Sequence, residues 1–381
     1  MSERHGPLAG IRILEIGHIL AAPFASMLLA DLGADVIKLE PATGDISRSV
    51  RSPKIGEYSA YFASINRGKR SVHVELDTAE GQERLAALVA TADALIVNLR
   101  PSAIRKHGLD YESLKVHNPR LVAVAVTGFG LDGEGADWPA FDYIVQAMTG
   151  VAMLTGEPGG PATLAGYSAV DNSAGIMAAL SLLAKVHEAG RTGVGGQVEV
   201  SLFDTMLAQL NYKAAAYLNG GGPSARLPMG SHISYVPAQL FETSDGFLAL
   251  FVTHDDMWRK LCVEVKRPEW VEDPRFDAMA RRYENREELL ALLGPVFKGD
   301  TADEWTARLR PLGLPVGPVR TLDEAVDGDF VAERGLVASL ETGEGPIRIV
   351  THPVRYDGVR PAASLPPRLH EHTDEIFGGL S

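Results

Sequence analysis

Ile11-Arg12-Ile13-Leu14-Glu15-Ile16 reads as a strand, Pro23 to Leu32 as a helix with proline near its first turn, and Ala34 to Leu39 as a second strand. Two strands joined through such a helix form a parallel βαβ unit, since parallel strands need a long crossover. The pattern recurs: Ser71 to Leu76 is strand-like, a helix runs from Ala79 to Thr91 behind Asp77, and Asp93 to Val97 and Leu121 to Val126 are further strand-like runs. Strands alternating with helices predict a mostly parallel sheet covered on both faces.

Asp171 to Glu188 reads as a long helix rich in Ala and Leu, closed by Gly190, and Gln197 to Ser201 as a strand leading into a helix over Leu202 to Leu218. The breaker cluster Gly220-Gly221-Gly222-Pro223 ends this region. Beyond it, Val236 to Glu242 and Phe247 to Val252 flank Asp245-Gly246, a hairpin signal, and helical stretches follow at Asp255 to Val265, Arg286 to Phe297 and Ala302 to Arg310. The fold class is therefore α/β. A large parallel-sheet domain covers 1–219, a linker 220–225 and a smaller α+β domain 226–335, and a tail, 336–381, with strand character at Ile347 to Val350, returns to the large domain.

With 381 residues the chain exceeds what one core usually organises, in keeping with two lobes. Asp plus Glu number 49 against 36 Lys plus Arg, a net charge of −13, which disfavours nucleic acid and anionic membrane as partners but leaves room for a compact anionic ligand on a local basic patch. The single cysteine, Cys262, lies between Leu261 and Val263; it reads as a buried, inert thiol, and a reducing, cytoplasmic setting fits. The longest mostly apolar stretch, Ile16 to Ala30, holds His18 and Pro23 and is too short to span a bilayer, and the N-terminus, with Glu3 and Glu15, lacks a signal-peptide pattern.

Gly128-Phe129-Gly130-Leu131-Asp132-Gly133 follows a strand and has the spacing of a dinucleotide-binding turn, but Gly135 and Pro139 stand where the phosphate-binding helix should open, so the run reads as a loop. Asn66-Arg67-Gly68-Lys69-Arg70, with Arg100, Arg105 and Lys106, is either a phosphate seat or a solvated edge. Asp171, opening the longest helix, is either an N-cap or a nucleophile held ionised by the helix dipole, with neighbouring amides to stabilise an oxyanion. His370-Glu371-His372 gives no convincing ligand set, so no metal is expected. The motifs of serine hydrolases, P-loop enzymes and zinc proteases are missing from the sequence.

Taken in order, several segments resemble the class III CoA-transferases, the group that includes formyl-CoA transferase, carnitine CoA-transferase and α-methylacyl-CoA racemase. They are Gly17-His18 with Ala22-Pro23, Asp31 to Glu40, Asn66 to Ser71, Asn98-Leu99-Arg100-Pro101, Gly128-Phe129-Gly130, Asp171, Val198 to Asp204, Pro315 to Val319 and Glu371-His372-Thr373. The resemblance implies a Rossmann-like large domain with a small domain, two chains interlocked as a homodimer, and Asp171 as nucleophile. It implies CoA contacts from His18, Leu20, Ala21, Ile65, Asn66, Arg67, Gly68, Asn98, Leu99, Arg100, Lys106, Ala140 and Phe141, so the basic clusters acquire CoA phosphates as their ligand. Pro41 stands where some members carry an adenine-side arginine, for which Arg48 is the substitute, and Met229-Gly230-Ser231-His232 replaces a glycine-rich lid. Tyr143, Tyr167, Gly230 and His232 are the remaining candidates for the substrate pocket.

The implied reaction moves CoA from an acyl-CoA, with succinyl-CoA as the expected donor, to a carboxylic acid, through an aspartyl anhydride and an aspartyl-CoA thioester, with no permanently bound cofactor. In the racemases a histidine precedes the aspartate ahead of the catalytic helix; here Phe141 precedes Asp142, which argues against racemisation. A 2-methylacyl-CoA racemase and, more distantly, a non-catalytic CoA- or dinucleotide-binding protein are the alternatives.

Overall fold

The computed structural model describes residues 5–378; the outermost residues of the assigned ranges, 1–4 and 379–381, and with them Glu3, lie outside the described residues. The first unit runs up to Val151, resumes over Leu164–Gly221 and again from Asp329. Its elements in chain order are β1 (Arg12–Ile16), α1 (Ala21–Asp31), β2 (Asp35–Glu40), α2 (Ala60–Asn66), β3 (Arg70–His73), α3 (Ala79–Val89), β4 (Ala94–Val97), α4 (Pro101–His107), β5 (Val122–Thr127), α5 (Asp142–Met148), α6 (Ala169–Thr192), β6 (Gly196–Ser201) and α7 (Leu202–Gln209). The six strands pair in parallel in the order β3-β2-β1-β4-β5-β6.

The sheet is buried on both faces, which explains why its central strands read as continuous apolar runs rather than as alternations. Ile13 and Leu14 point to opposite sides, as successive strand residues must. On one side Ile13, Val36, Ile96 and Val124 pack with Ala21, Ala25 and Leu29 of α1 and Val170, Ala174, Ala178 and Leu182 of α6. On the other, Leu14, Ile37 and Leu95 pack with Leu85 and Leu88 of α3 and Ile104 of α4.

Several boundaries differ from the sequence reading. Helix α6 continues through Gly190 to Thr192 and ends at Gly193, whose φ of 74° supplies the left-handed cap. Thr78, not Asp77, caps α3, its hydroxyl accepting from the Gly81 amide. The run Leu202 to Leu218 is two helices, broken at Leu210. By length and composition α6 would be apolar enough to cross a membrane, a property the sequence reading missed because it stopped at Ile16 to Ala30. Its buried stripe against the sheet makes it a core helix instead.

The second unit comprises Ala152–Thr163 and Gly222–Gly328, so 152–163, assigned to the large domain from sequence, groups with the small one. Arg226 provides the reason, donating to the carbonyls of Ala152 (2.8 Å), Met153 (3.0 Å) and Gly160 (2.8 Å). Strands β7 (Ala238–Glu242), β8 (Phe247–Phe251) and β9 (Val316–Pro318) form an antiparallel sheet, the first two as the expected hairpin. Helices α8 (Asp255–Glu264), α9 (Arg286–Phe297) and α10 (Ala302–Leu309) complete the core around Trp258, Leu293, Phe297 and Trp305. Cys262 is buried there, and burial pushes its thiol up to about 12.

Back in the first unit, the tail supplies an antiparallel hairpin, β10 (Val337–Thr342) with β11 (Gly345–Val350), and α11 (Thr373–Gly378). The two histidines flanking Glu371 fasten this tail to the sheet. His370 Nε2 lies 2.9 Å from the Pro41 carbonyl and His372 Nδ1 accepts from the Ser71 amide at 3.3 Å. Among the described residues no group of three or more His, Cys, Asp or Glu is placed to hold a metal ion.

Candidate active site

In an open parallel sheet the strand order reverses at one point, and the crevice beyond the carboxyl ends of the flanking strands is the usual ligand site. Here that point lies between β1 and β4. The loop after β1 carries Gly17-His18 and the loop after β4 carries Asn98, and the two are tied together: the Asn98 side chain accepts from the His18 amide (2.9 Å) and donates to the His18 carbonyl (2.8 Å). Ile19 follows with φ of 63°, a left-handed conformation that costs a β-branched residue about 1–2 kcal/mol. Its amide donates to Asp45 at 3.3 Å, so the strained turn is held from both sides.

Beneath this turn lies a fully buried ionic network. Glu15 on β1 joins Lys38 (2.6 Å) and Lys69 (2.6 Å), and Lys38 also reaches Asp45 (2.8 Å), with all four side chains in the interior. Burial alone would push Glu15 up, but the two ammonium groups hold it below its usual value. Burial pulls Lys69 down to about 8, against the opposing charge of Glu15. Burial also lowers the His18 imidazole, whose Nδ1 is enclosed without a hydrogen-bond partner among the described residues.

Asp171 stands at the third position of α6, after Ala169 and Val170. The N-cap reading fails here, because its carboxylate makes no hydrogen bond among the described residues. The cap comes instead from Asp142 on α5, whose Oδ2 accepts from the amides of Val170 (2.7 Å) and Asp171 (3.1 Å). Those amides are thereby occupied, which also removes them as the oxyanion donors expected from the sequence. Nor is Asp171 held ionised: burial first, and the nearby Asp142 charge second, push its carboxyl up to about 7.

Gly175, one turn further along α6, lies against α1, where an added Cβ would meet the Ala21 carbonyl at 2.8 Å and the Phe24 ring at 3.0 Å. The starts of α6 and α1 therefore meet, and Asp171, four residues from Gly175, lies on that face. The start of α1 has no side-chain cap from Leu20. Tyr61 on α2 completes the surroundings; burial, then the charges of Asp171 and Asp45, push its phenol up.

The structure thus gathers His18, Leu20, Ala21, Asn98 and Asp171 at one end of one sheet. Other expected residues are differently employed. Arg67 is buried in a forked pair with Asp31 (2.6 Å), Asn66 accepts from Lys69 (2.8 Å), and Arg70 pairs with Asp35 (2.5 Å), so this basic cluster is neutralised internally and is no free phosphate seat. Within the expected segment Ile65 to Gly68 the Gly68 amide is occupied as well, donating to the Leu365 carbonyl at 3.1 Å. Arg48 is likewise committed, bridging to Glu40 (2.7 Å) and lying over the Phe62 ring (3.7 Å), which leaves it no free fork for an adenine. Lys106 is exposed and paired with Asp77 (2.6 Å), whereas Arg100 is exposed without an ion-pair partner among the described residues. Leu99 packs at the edge of the sheet core.

Phe141, Tyr143 and Tyr167 are exposed, at 70%, 56% and 64%. Ala140 sits directly on Gly128, where a Cβ would come within 2.3 Å of its own, so the first glycine of the decoy motif serves loop packing. The next helix, α5, begins only at Asp142. Gly230 and His232 belong to the second unit, where His232 Nδ1 accepts from the Ser234 amide (3.1 Å) and its ring lies beside Tyr235 and Phe251. Sequence reasoning missed Tyr61, Asp45 and the role of Asp142, none of which stands in a motif that announces a partner far along the chain.

A sequence model of CoA-transferase family III matches residues 8–373. The chain is 36% identical to the succinate–glutarate CoA-transferase of Agrobacterium fabrum, covering 100% of this chain and 97% of that protein. It is 35% identical to an acyl-CoA transferase of Fusarium pseudograminearum, covering 99% and 85% respectively. Among solved structures, a CAIB/BAIF family protein from Brucella suis superposes with a TM-score of 0.87 at 33% identity, covering 99% of this chain and 100% of that one. The chain belongs to CoA-transferase family III, and is an enzyme that transfers CoA between an acyl-CoA and a carboxylic acid.

Proposed function

We propose that Asp171 is the nucleophile of this transfer, the observation that carries the reading being a carboxylate at the start of α6 that is half-buried and makes no hydrogen bond among the described residues. The Asp171 carboxylate attacks the thioester carbonyl of the donor, forming an aspartyl anhydride and releasing CoA thiolate. The thiolate attacks the aspartyl carbonyl, expelling the donor acid and leaving an aspartyl-CoA thioester. The acceptor carboxylate then attacks that thioester, and the thiolate released a second time attacks the acceptor carbonyl of the new anhydride, giving the new acyl-CoA and free Asp171. Each step exchanges one activated carbonyl for another, so no net proton and no outside energy source is required.

A raised carboxyl is a better nucleophile once ionised, and a site that excludes bulk water protects each intermediate. The uncapped start of α1 offers N–H groups and the positive end of its dipole to developing negative charge. Arg100 and the segment Ile65 to Gly68 are the proposed contacts for CoA. The likeness to the succinate–glutarate CoA-transferase favours succinyl-CoA as donor and a small dicarboxylic acid as acceptor. An assay with succinyl-CoA and a series of four- to six-carbon dicarboxylic acids tests this: ping-pong kinetics that vanish in Asp171→Asn support it, and unchanged transfer by that variant overturns it.

We further propose a homodimer in the cytoplasm. Ile176 (53% exposed) and Leu180 (60%), one turn apart on α6, leave an apolar outer stripe on a helix whose other stripe is core. Tyr143, Ile144 and Met148 of α5 are exposed as well, and exposed apolar groups of this kind mark an interaction surface.

A further inference from the structure

We propose that Asp142 is a positioning residue for the transfer, fixing the start of α6 by accepting two of its amides and tuning the reactivity of Asp171 through its own charge. The inference rests on Asp171 as the nucleophile. A helix normally begins with a cap from its own chain neighbour, but Ser168 makes no side-chain cap here. Asp142 replaces it from 28 and 29 residues away, through one oxygen, at 2.7 Å to Val170 and 3.1 Å to Asp171. Its other oxygen accepts from Gln146 Nε2 at 2.5 Å, and Gln146 Oε1 in turn accepts from the Ala165 amide at 2.8 Å. One buried pair on a single turn of α5 thus fixes both the strand of chain entering α6 and its first turn.

The arrangement does two things that a serine or asparagine cap would not do together. It pins the backbone of the nucleophile itself, and it places a second negative charge beside it. The acceptor atoms satisfy amides that would otherwise pull Asp171 toward the role of a cap, which leaves its carboxylate for substrate. The added charge raises the basicity of Asp171 beyond what burial gives. From the other elements packed on the start of α6, α1 brings the uncharged Ala21, Phe24 and Ala25 against Gly175, α7 presents Gln209, which accepts from Ser173, and the exposed Asp204, and Tyr61 approaches from α2. Asp142 is the charge that stands closest in effect.

The test is single-turnover formation of the CoA adduct from an acyl-CoA, followed by quenched mass spectrometry across pH, in wild type, Asp142→Asn and Asp142→Ala. Asparagine keeps an acceptor and removes the charge, so the midpoint of the acidic limb falls by about one pH unit and the plateau by about tenfold. Alanine removes both, and the plateau falls by about a hundredfold as the helix start loses its fixed position. If Asp142→Asn does not fold, Gln146→Leu replaces it: losing the donor that holds the Asp142 carboxylate in place loosens the start of α6, and the plateau falls. A folded Asp142→Asn with the wild-type midpoint, an alanine variant with the wild-type plateau, or an unchanged plateau in Gln146→Leu overturns the proposal. Adduct formation by Asp171→Asn instead overturns the nucleophile reading beneath it, so the two failures are distinguishable.

Discussion

Asp142 accepts from the backbone amide of Asp171 at 3.1 Å while the carboxylate of Asp171 accepts no hydrogen bond among the described residues, so the acid that caps the helix is not the acid that opens it. This division of labour separates stability from chemistry. One carboxylate is spent on the helix dipole and the other is kept, desolvated and raised, for reaction.

The first consequence is a pH dependence of catalysis. Asp171 attacks only when ionised and its carboxyl is pushed up to about 7, so kcat/KM falls with decreasing pH below that value and levels off above it. Rates flat between about pH 5.5 and about 8.5, with a stable fold, contradict the assignment.

The same shift bears on stability with a definite sign. A carboxyl whose pKa is higher in the folded chain binds protons more tightly when folded, so stability is full below about 4, declines as pH rises toward about 7, and stays lost above. Asp171→Asn removes the buried charge, and at pH 8 it raises Tm by roughly 2–4 °C while abolishing transfer. At pH 5 the difference shrinks. Calorimetry showing the variant less stable at both pH values would refute the linkage.

The network under the His18 turn behaves differently, because its charges depend on one another. Glu15→Ala leaves Lys38 and Lys69 buried without their shared carboxylate, and the expected loss is about 3–5 kcal/mol of unfolding free energy by denaturant titration. A loss under about 1 kcal/mol would mean that water or another group reaches the site.

The outer stripe of α6 gives a test of assembly. Sedimentation of the wild type as a dimer at micromolar concentration is expected, and Leu180→Glu, which puts a charge into that stripe, shifts the species toward monomer or aggregate. A wild-type monomer would leave Ile176 and Leu180 unexplained and the dimer proposal wrong.

Much of the large sheet was legible because its strands are continuous apolar runs and its helices carry ordinary caps and breakers. β1, β4 and β5 lie within a residue of their expected limits. Errors came where a local signal had a competing tertiary role: Gly190 reads as a stop, but Gly193 supplies the left-handed turn. Asp171 could be singled out from its place at a helix start, and family resemblance favoured it over a cap. What no local pattern could reveal was that Asp142 would supply the cap, since the pairing joins residues nearly thirty positions apart. For the same reason Arg67 and Arg48 read as ligand-binding cations, while their carboxylate partners Asp31 and Glu40 are assigned only by the fold.

The most direct test of the account is the mass of the protein after mixing with succinyl-CoA, trapped with hydroxylamine and mapped by peptide. A hydroxamate confined to the peptide containing Asp171, and none in Asp171→Asn, is the expected result. Active transfer with no trapped species, or a label on another residue that persists in Asp171→Asn, would contradict it.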